Sequence, residues 1–356
     1  MQVGVLELIN VECMSGRTKY DIISIGDPVI DSFLFVDDIE VKRVGKQLKA
    51  FINWGDKLPV QKFYKSVAGN ASNNAIGSSR LGLKAAYFCI VGDDVGGREI
   101  RHRMTREGVS TEYIYFDKQH GTNYHTVLSH GGERTIFVYH EHRNYHFPKL
   151  APSKWIYLTS MPQGFDKIYK PLAEYLDKNK VKLGFNPGTY QLKAGIKVNK
   201  PILERTDVLS VNVEEAQRWM GDHGRDPEEL CKALRGLGPK AVVLTDGRKG
   251  AYSHSDEGFY YISEYPGPRV EATGAGDSFT TAYIAALAYG KTHAEALAWG
   301  PVNAGSVVQK VGPLEGLLTR SQLESHLRKL KSFRAVHIAD LKTKEKILKL
   351  VAKKKD

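Results

Sequence analysis

Short apolar runs recur along this chain, separated by stretches of helical composition. Residues 21–26 (DIISIG) read as a buried strand closed by glycine, and similar runs return at 85–91, 155–158, 181–185, 208–211 and 241–244. Helices are expected at 70–80, from near Gly97 to Gly108, at 163–179, after Leu203, at 213–220 and at 226–237. Strands of four to seven residues alternating with helices predict a mostly parallel central sheet covered on both faces, a three-layer α/β/α sandwich. Residues 258–272 are β-like and then glycine-rich. Two helices follow, 276–289 and 292–308, the second expected to break near Pro301, which lacks an amide donor. A further amphipathic helix is expected at 321–332 and a short docked one at 340–352, before a disordered KKKD end.

Two regions depart from this rhythm. Over residues 34–66 and 121–140, apolar and polar positions mix over short runs, as in half-exposed strands, and the Gly131–Gly132 pair between β-rich runs signals a hairpin. Together they predict a small β-sheet lid outside the main sheet, covering the site. Its aromatic residues (Phe51, Trp54, Phe63, Tyr64, Tyr124, Phe137, Tyr139) could stack on a sugar face or a nucleobase, or form the lid's own core. Exposed lid edges also leave room for a homodimer through that layer.

Composition narrows the classes. The 356 residues are 42% hydrophobic, and no run of eighteen apolar residues occurs, so no membrane span is expected. The first twenty residues do not read as a signal peptide. Cys13, Cys89 and Cys231 match neither a zinc pattern nor a disulfide framework, which with the rest suggests a reducing, cytoplasmic setting. The net charge is +11, but residues 328–356 carry eleven Lys or Arg against three acids, so the basicity sits mostly in that tail. Nucleic acid is not the expected partner of the body, and no compact recognition motif supports one.

The segment Glu271-Ala272-Thr273-Gly274-Ala275-Gly276-Asp277 lies between a β-like run and an apolar helix. Glycines there remove bulk where another group must approach, and amides at a helix start lack intrahelical partners, so they suit phosphate oxygens. Asp277, at the helix start, could accept the proton of a hydroxyl that attacks phosphorus. A helix cap after a tight turn would read the same way.

Other segments break that tie. Gly26-Asp27 with Asp31, Gly69-Asn70 through Asn74 before a helix, Gly92-Asp93-Asp94, Asn212-Val213-Glu214-Glu215, Leu244 to Gly250 and the GAGD element occur in one order over residues 20–320. In these the chain resembles the ribokinase-like (PfkB) carbohydrate kinase family, with Glu271 and Ala272 departing from its usual Asp and Thr. The resemblance implies a ribokinase-like fold over 20–320 with lid segments 34–66 and 121–140, and 321–356 as a helical extension with a basic tail.

The resemblance also implies roles. Asp277 would be the base, and the amides of Gly274, Ala275 and Gly276 the anion hole. Asn212 and Glu215 would help place Mg2+ largely through water, a role compatible with capping their own helix. Asp27, Asp31, Gly69, Asn70 and Asn74 would form the substrate pocket, with Arg134 on the lid available to an anionic group. Thr245, Gly247, Lys249 and Asn303 would hold ATP. Glu271 would stand at a K+-type site, which its extra methylene leaves open. No GxxxxGK[ST] loop and no protein-kinase signature is present, so ATP use rests on GAGD, and an ADP-dependent variant stays open. A small sugar is the expected acceptor. A nucleoside is the alternative, and a non-catalytic sugar- or nucleotide-binding protein a second one.

Overall fold

The structure, a computed structural model, describes residues 18–45, 47–131 and 133–339. In chain order the strands are β1 (Tyr20–Ile25), β2 (Val29–Phe35), β3 (Glu40–Val44), β4 (Gln47–Phe51), β5 (Lys62–Ala68), β6 (Ala85–Gly92), β7 (Ser110–Asp117), β8 (Tyr124–His130), β9 (Glu133–Tyr139), β10 (Ser153–Leu158), β11 (Lys182–Phe185), β12 (Val208–Asn212), β13 (Ala241–Thr245), β14 (Ala251–Ser255), β15 (Gly258–Ile262) and β16 (Val336–His337). The helices are α1 (Asn70–Arg80), α2 (Val95–Arg106), α3 (Tyr169–Asn179), α4 (Thr189–Leu203), α5 (Val213–Met220), α6 (Pro227–Arg235), α7 (Ala275–Ala288), α8 (His293–Val307) and α9 (Arg320–Lys329).

The main sheet runs β16-β15-β14-β13-β12-β11-β10-β1-β6-β7. From β7 to β13 neighbouring strands are parallel, and β14 to β16 add antiparallel pairs at one edge. Strand alternation splits the core in two. Ile22 joins the layer under α1, α2, α7, α8 and α9, while Ile23 and Ile25 join the layer under α3 to α6. Ser24, on the Ile22 side, donates to the buried Asn74 Oδ1 at 2.6 Å, so strand and helix are joined by a satisfied polar contact. The three-layer α/β/α sandwich is therefore as expected.

The lid is a second sheet in the order β5-β2-β8-β9, with β3–β4 as a separate hairpin. β8 and β9 pair antiparallel around the turn at Gly131, while Gly132 lies outside the described residues. β2 leaves the end of β1 after only three residues, so the acids at 27 and 31 sit where lid and main sheet meet.

Several elements differ from expectation. The helix expected after Leu203 lies before it, as α4, divided at Gly195 (φ 80°). Asn199 Nδ2 spans that break, donating to the carbonyls of Gln191 and Gly195 at 2.7 Å each. Pro301 does not break α8: packing of Ala296 to Val302 in the core outweighs the lost amide donor. β7 and β14 were not anticipated. Leu323 of α9 is fully buried and β16 pairs with β15, so the first part of the C-terminal extension belongs to the sandwich. The expected helix at 340–352, the KKKD end, Cys13 and the first seventeen residues lie outside the described residues.

Candidate active site

α7 starts from Gly274, whose φ of 78° is open to glycine and strained for other residues. A Cβ there would lie 2.5 Å from Pro313 Cβ, so bulk is excluded as well. Asp277 follows in the first helical turn and is 9% exposed. Its Oδ2 accepts from Asn73 Nδ2 of α1 at 2.7 Å. Burial pushes its carboxyl up to about 6, against the stabilising Asn73 bond, and the negative Glu215 adds to the rise. A carboxylate poised near neutrality and held by one oxygen is suited to proton transfer.

Beside this turn opens a cavity of about 460 Å³. Ala275 and Gly276 lie on its helix-start side, Asn212, Thr245 and Gly247 come from the ends of β12 and β13, and Pro301 and Ala304 come from α8. It lies at the carboxyl ends of parallel strands, where open α/β sheets bind ligands. Of the three expected anion-hole amides, that of Ala275 donates to Ala272 O at 3.3 Å, a weak turn bond.

The expected substrate residues divide. Gly69 (φ 103°) packs so closely that a Cβ would meet Asp27 O at 2.6 Å, and Asn70 begins α1 half-buried. Asp27 is buried and its carboxyl is pushed up to about 6 by that burial. Its oxygens accept from Tyr145 Oη and from Asn123 Nδ2, so it ties the lid root to β1. Asp31 is buried on β2. Its Oδ1 lies 3.2 Å from His125 Nδ1 yet has no hydrogen bond of good geometry. Asn74 must be corrected: fully buried, it spends its amide on Ser24 and Thr281 and faces the core. The neighbouring Asn73 reaches the base instead, and its Oδ1 is buried with no partner. One helical step separates the two asparagines, and sequence spacing alone did not say which one faced α7.

Asn212 and Glu215 form a reciprocal capping box at the start of α5, at 2.8 and 2.9 Å. Burial raises the Glu215 carboxyl. Thr245 and Gly247 line the cavity, but Lys249 turns to Asp246 at 3.3 Å and is not among the lining residues. Asn303 is corrected too: fully buried, it donates to Ser278 O and accepts from Leu318 N, fastening α7 and α8 to the 310–318 loop. Arg134 reaches Glu271 Oε1 at 2.5 Å, joining the lid strand β9 to the loop before α7. The same oxygen accepts from Thr273 N and Thr273 Oγ1. That oxygen thus already has a cation beside it, in place of the expected substrate contact for Arg134. The lid aromatics form no closed slot: Trp54, Phe63, Phe137 and Tyr139 are exposed, and Tyr64 packs on Phe33. Sequence reasoning missed Asn123, Tyr145, His125 and His140, which lie in lid and linker segments without a motif.

The sequence profile of the pfkB family carbohydrate kinases matches residues 31–320. Among curated proteins, the chain is 28% identical over 325 residues to the 5-dehydro-2-deoxygluconokinase of Bacillus subtilis, covering 86% of this chain and 95% of that one. Among solved structures, Arabidopsis thaliana ribokinase complexed with ribose and ATP superposes with a TM-score of 0.72 at 20% identity, covering 87% of this chain and 99% of that one. A ribokinase-II-like chain of E. coli in complex with ATP and Mg2+ gives 0.68 at 19% identity, with coverage of 87% and 99%. At these identities the two structures speak to the fold alone. Among the described residues no helix is long and apolar enough to cross a membrane.

Proposed function

This chain belongs to the pfkB carbohydrate kinase family, and from that premise we propose that it transfers the terminal phosphoryl group of ATP to a hydroxyl of a small sugar, with Asp277 as base. The observation that carries the reading is Asp277 itself: a buried carboxylate, raised to about 6, in a helix start whose residues Ala275 and Gly276 border a 460 Å³ cavity. Among the described residues no second hydrogen bond holds it besides that of Asn73, which leaves Oδ1 to face a hydroxyl.

The step balances simply. Asp277 takes the hydroxyl proton as the acceptor oxygen bonds to the γ-phosphorus. The bond from that phosphorus to the β–γ bridging oxygen breaks, and ADP leaves with the electron pair. The Gly276 amide and the positive end of α7 face the charge on the transferred group. With a carboxyl near 6, Asp277 returns the proton to water at neutral pH. Thr245, Gly247 and the α8 wall hold the nucleotide.

The donor set fits Mg2+. Glu215 is a half-buried oxygen donor close enough for its charge to raise Asp277, and a cation there would relieve both. Bound with ATP, Mg2+ would neutralise phosphate charge. Asn212 and Glu215 would hold it mainly through water. At Glu271 the Arg134 guanidinium already supplies the positive charge, so no K+ enters this account.

A hydroxyl-rich acceptor is supported by Asp31 Oδ1 and Asn73 Oδ1, buried acceptors that lack donors. The B. subtilis relative adds that a sugar acid belongs in the panel. The exposed lid aromatics favour no nucleobase slot, so the nucleoside reading is not carried further. We take 20–320 as the catalytic unit, and a homodimer over the exposed face of β9 as its assembly. The test is ATP consumption with Mg2+ over sugars, sugar acids and nucleosides, with the product identified by mass. A phosphorylated sugar is expected. Turnover confined to nucleosides, or none with any acceptor, would overturn the reading.

A further inference from the structure

The C-terminal segment reaches back to the 460 Å³ cavity beside α7. Leu323 anchors α9 in the core, and β16 pairs antiparallel with β15. In that register Val336 lies opposite Tyr261, so the chain just before β16 runs beside the chain just after β15. Phe333 and Tyr265 meet there, edge to face at 5.2 Å between ring centroids. α9 adds a second contact. Tyr265 Oη and His326 Nδ1 share a hydrogen bond of 3.0 Å, and their rings also meet edge to face, at 5.7 Å.

Tyr265 lines the cavity as well. α8 approaches it closely because Gly305 has no side chain: a Cβ there would lie 3.0 Å from Tyr265 Cβ. Tyr265 is half-buried and packed against the core. α8, α9 and Phe333 hold it on the protein side, and the surface it keeps borders the cavity. The lining beside it is apolar, with Pro301 and Ala304 of α8, Val308 at its end and Phe279 of α7. Asn212 and Gly276 line the same cavity at the starts of α5 and α7, where phosphate is favoured. An aromatic wall among aliphatic groups, in a cavity otherwise lined by polar residues and helix starts, suits the flat base of a nucleotide.

Resting on the kinase reading above, we propose that Tyr265 is the wall on which the adenine of ATP packs, and that His326 and Phe333 are positioning residues for its ring, so that the C-terminal segment sets nucleotide affinity. A ring already held in place needs no ordering when the base arrives, so its hydrogen bond to His326 shows as affinity. The base contact is the same before and during phosphoryl transfer. Its loss therefore raises the ATP KM and leaves kcat alone.

Titration calorimetry on the full-length protein with Mg2+ tests this with two probes. One is adenylyl imidodiphosphate, a non-hydrolysable ATP analogue. The other is inorganic tripolyphosphate, which has the phosphates and no base. Tyr265→Ala is expected to weaken the analogue at least about tenfold, the contribution of one base–aromatic stack, and to leave tripolyphosphate within about twofold. His326→Leu and Tyr265→Phe are each expected to weaken the analogue about fivefold, the contribution of one net hydrogen bond. The double variant is expected to lose no more than either, since both changes remove the same bond. His326→Gln, which keeps a partner for Tyr265 Oη, is expected to restore most of the affinity. In turnover each loss is expected in the ATP KM, with kcat and the acceptor KM unchanged. An unchanged analogue affinity in Tyr265→Ala, an equal loss of tripolyphosphate in His326→Leu, or additive losses in the double variant would each overturn the proposal. Where Tyr265→Ala fails to fold, the cycle of Tyr265→Phe with His326→Leu decides alone. Phosphoryl transfer by a Tyr265→Ala protein that binds ATP like wild type sinks the base wall and keeps the kinase reading. Analogue binding that depends on Tyr265, without transfer to any acceptor, sinks the kinase reading and leaves a nucleotide-binding site.

Discussion

Replacing Asn73 by leucine removes the one hydrogen bond that, among the described residues, holds the Asp277 carboxylate, at nearly constant volume. The lost bond is charge-assisted and buried, at 2.7 Å from Oδ2. Such bonds contribute about 1.5–3 kcal/mol, equivalent to roughly one to two pKa units. The carboxyl should therefore climb from about 6 to roughly 7–8. At pH 6.5 the ionised fraction would fall from about three quarters to between about a quarter and a few per cent. kcat/KM should drop in proportion, by roughly 3- to 25-fold. At pH 9 both proteins are almost fully ionised, so the part of the loss that comes from the shifted carboxyl should be recovered, leaving a pH-independent remainder from the missing Asn73 Oδ1 acceptor. The assay is a coupled ADP-release measurement of kcat/KM from pH 5 to 9.5, with nucleotide affinity as a control for folding. An acidic limb that stays near pH 6, or a loss equal at every pH, would refute the electrostatic role given to Asn73.

Three further outcomes follow from the same geometry. Asp277→Asn should stabilise the unliganded protein at pH 8 by about 2–3 kcal/mol and hardly at all at pH 4. The sign follows from the raised pKa: the contribution of Asp277 to stability is fully present below its unfolded value of 3.8 and lost as pH rises through about 6. Urea unfolding at both pH values checks this, and equal midpoints at pH 8 would contradict it. Arg134→Ala should lower kcat/KM only about fivefold, because the pair with Glu271 is partly exposed. Wild-type rates should be alike in K+ and tetramethylammonium salts, with monovalent-cation stimulation appearing only in the variant. Asp31→Ala should weaken sugar binding by roughly 10- to 100-fold, the worth of a charged hydrogen bond, and leave ATP binding unchanged in calorimetry.

Much of the scaffold was legible because its physics is local. Apolar runs marked β1, β6, β10, β12 and β13 to within one or two residues, and the two mixed-polarity regions hold the lid strands β5, β8 and β9, whereas lid strand β2 (Val29–Phe35) starts before the first of them and β3–β4 stand apart from that sheet. The GAGD turn was legible for the same reason, since Gly274 shows in its φ and in the crowding by Pro313 why no other residue suits. What failed needed the third dimension. Asn73 and Asn74 differ by 100° around α1, and only the packing of α7 decides that the first meets Asp277 and the second Thr281. Asn303 carried the right chemistry for a ligand, but its partners at Ser278 and Leu318 are remote in sequence. The pairings of Arg134 with Glu271 and of His125 with His140 depend on how the lid folds over the sheet, and no spacing encodes them.

Single-turnover phosphoryl transfer by Asp277→Asn is the most direct probe of the base, because asparagine keeps the shape and the Asn73 contact but cannot take a proton. The transfer rate should fall by at least about 10²-fold, with ATP and sugar binding within a few-fold of wild type. Transfer at close to the wild-type rate would mean that another group removes the hydroxyl proton, and the account of this site would be wrong.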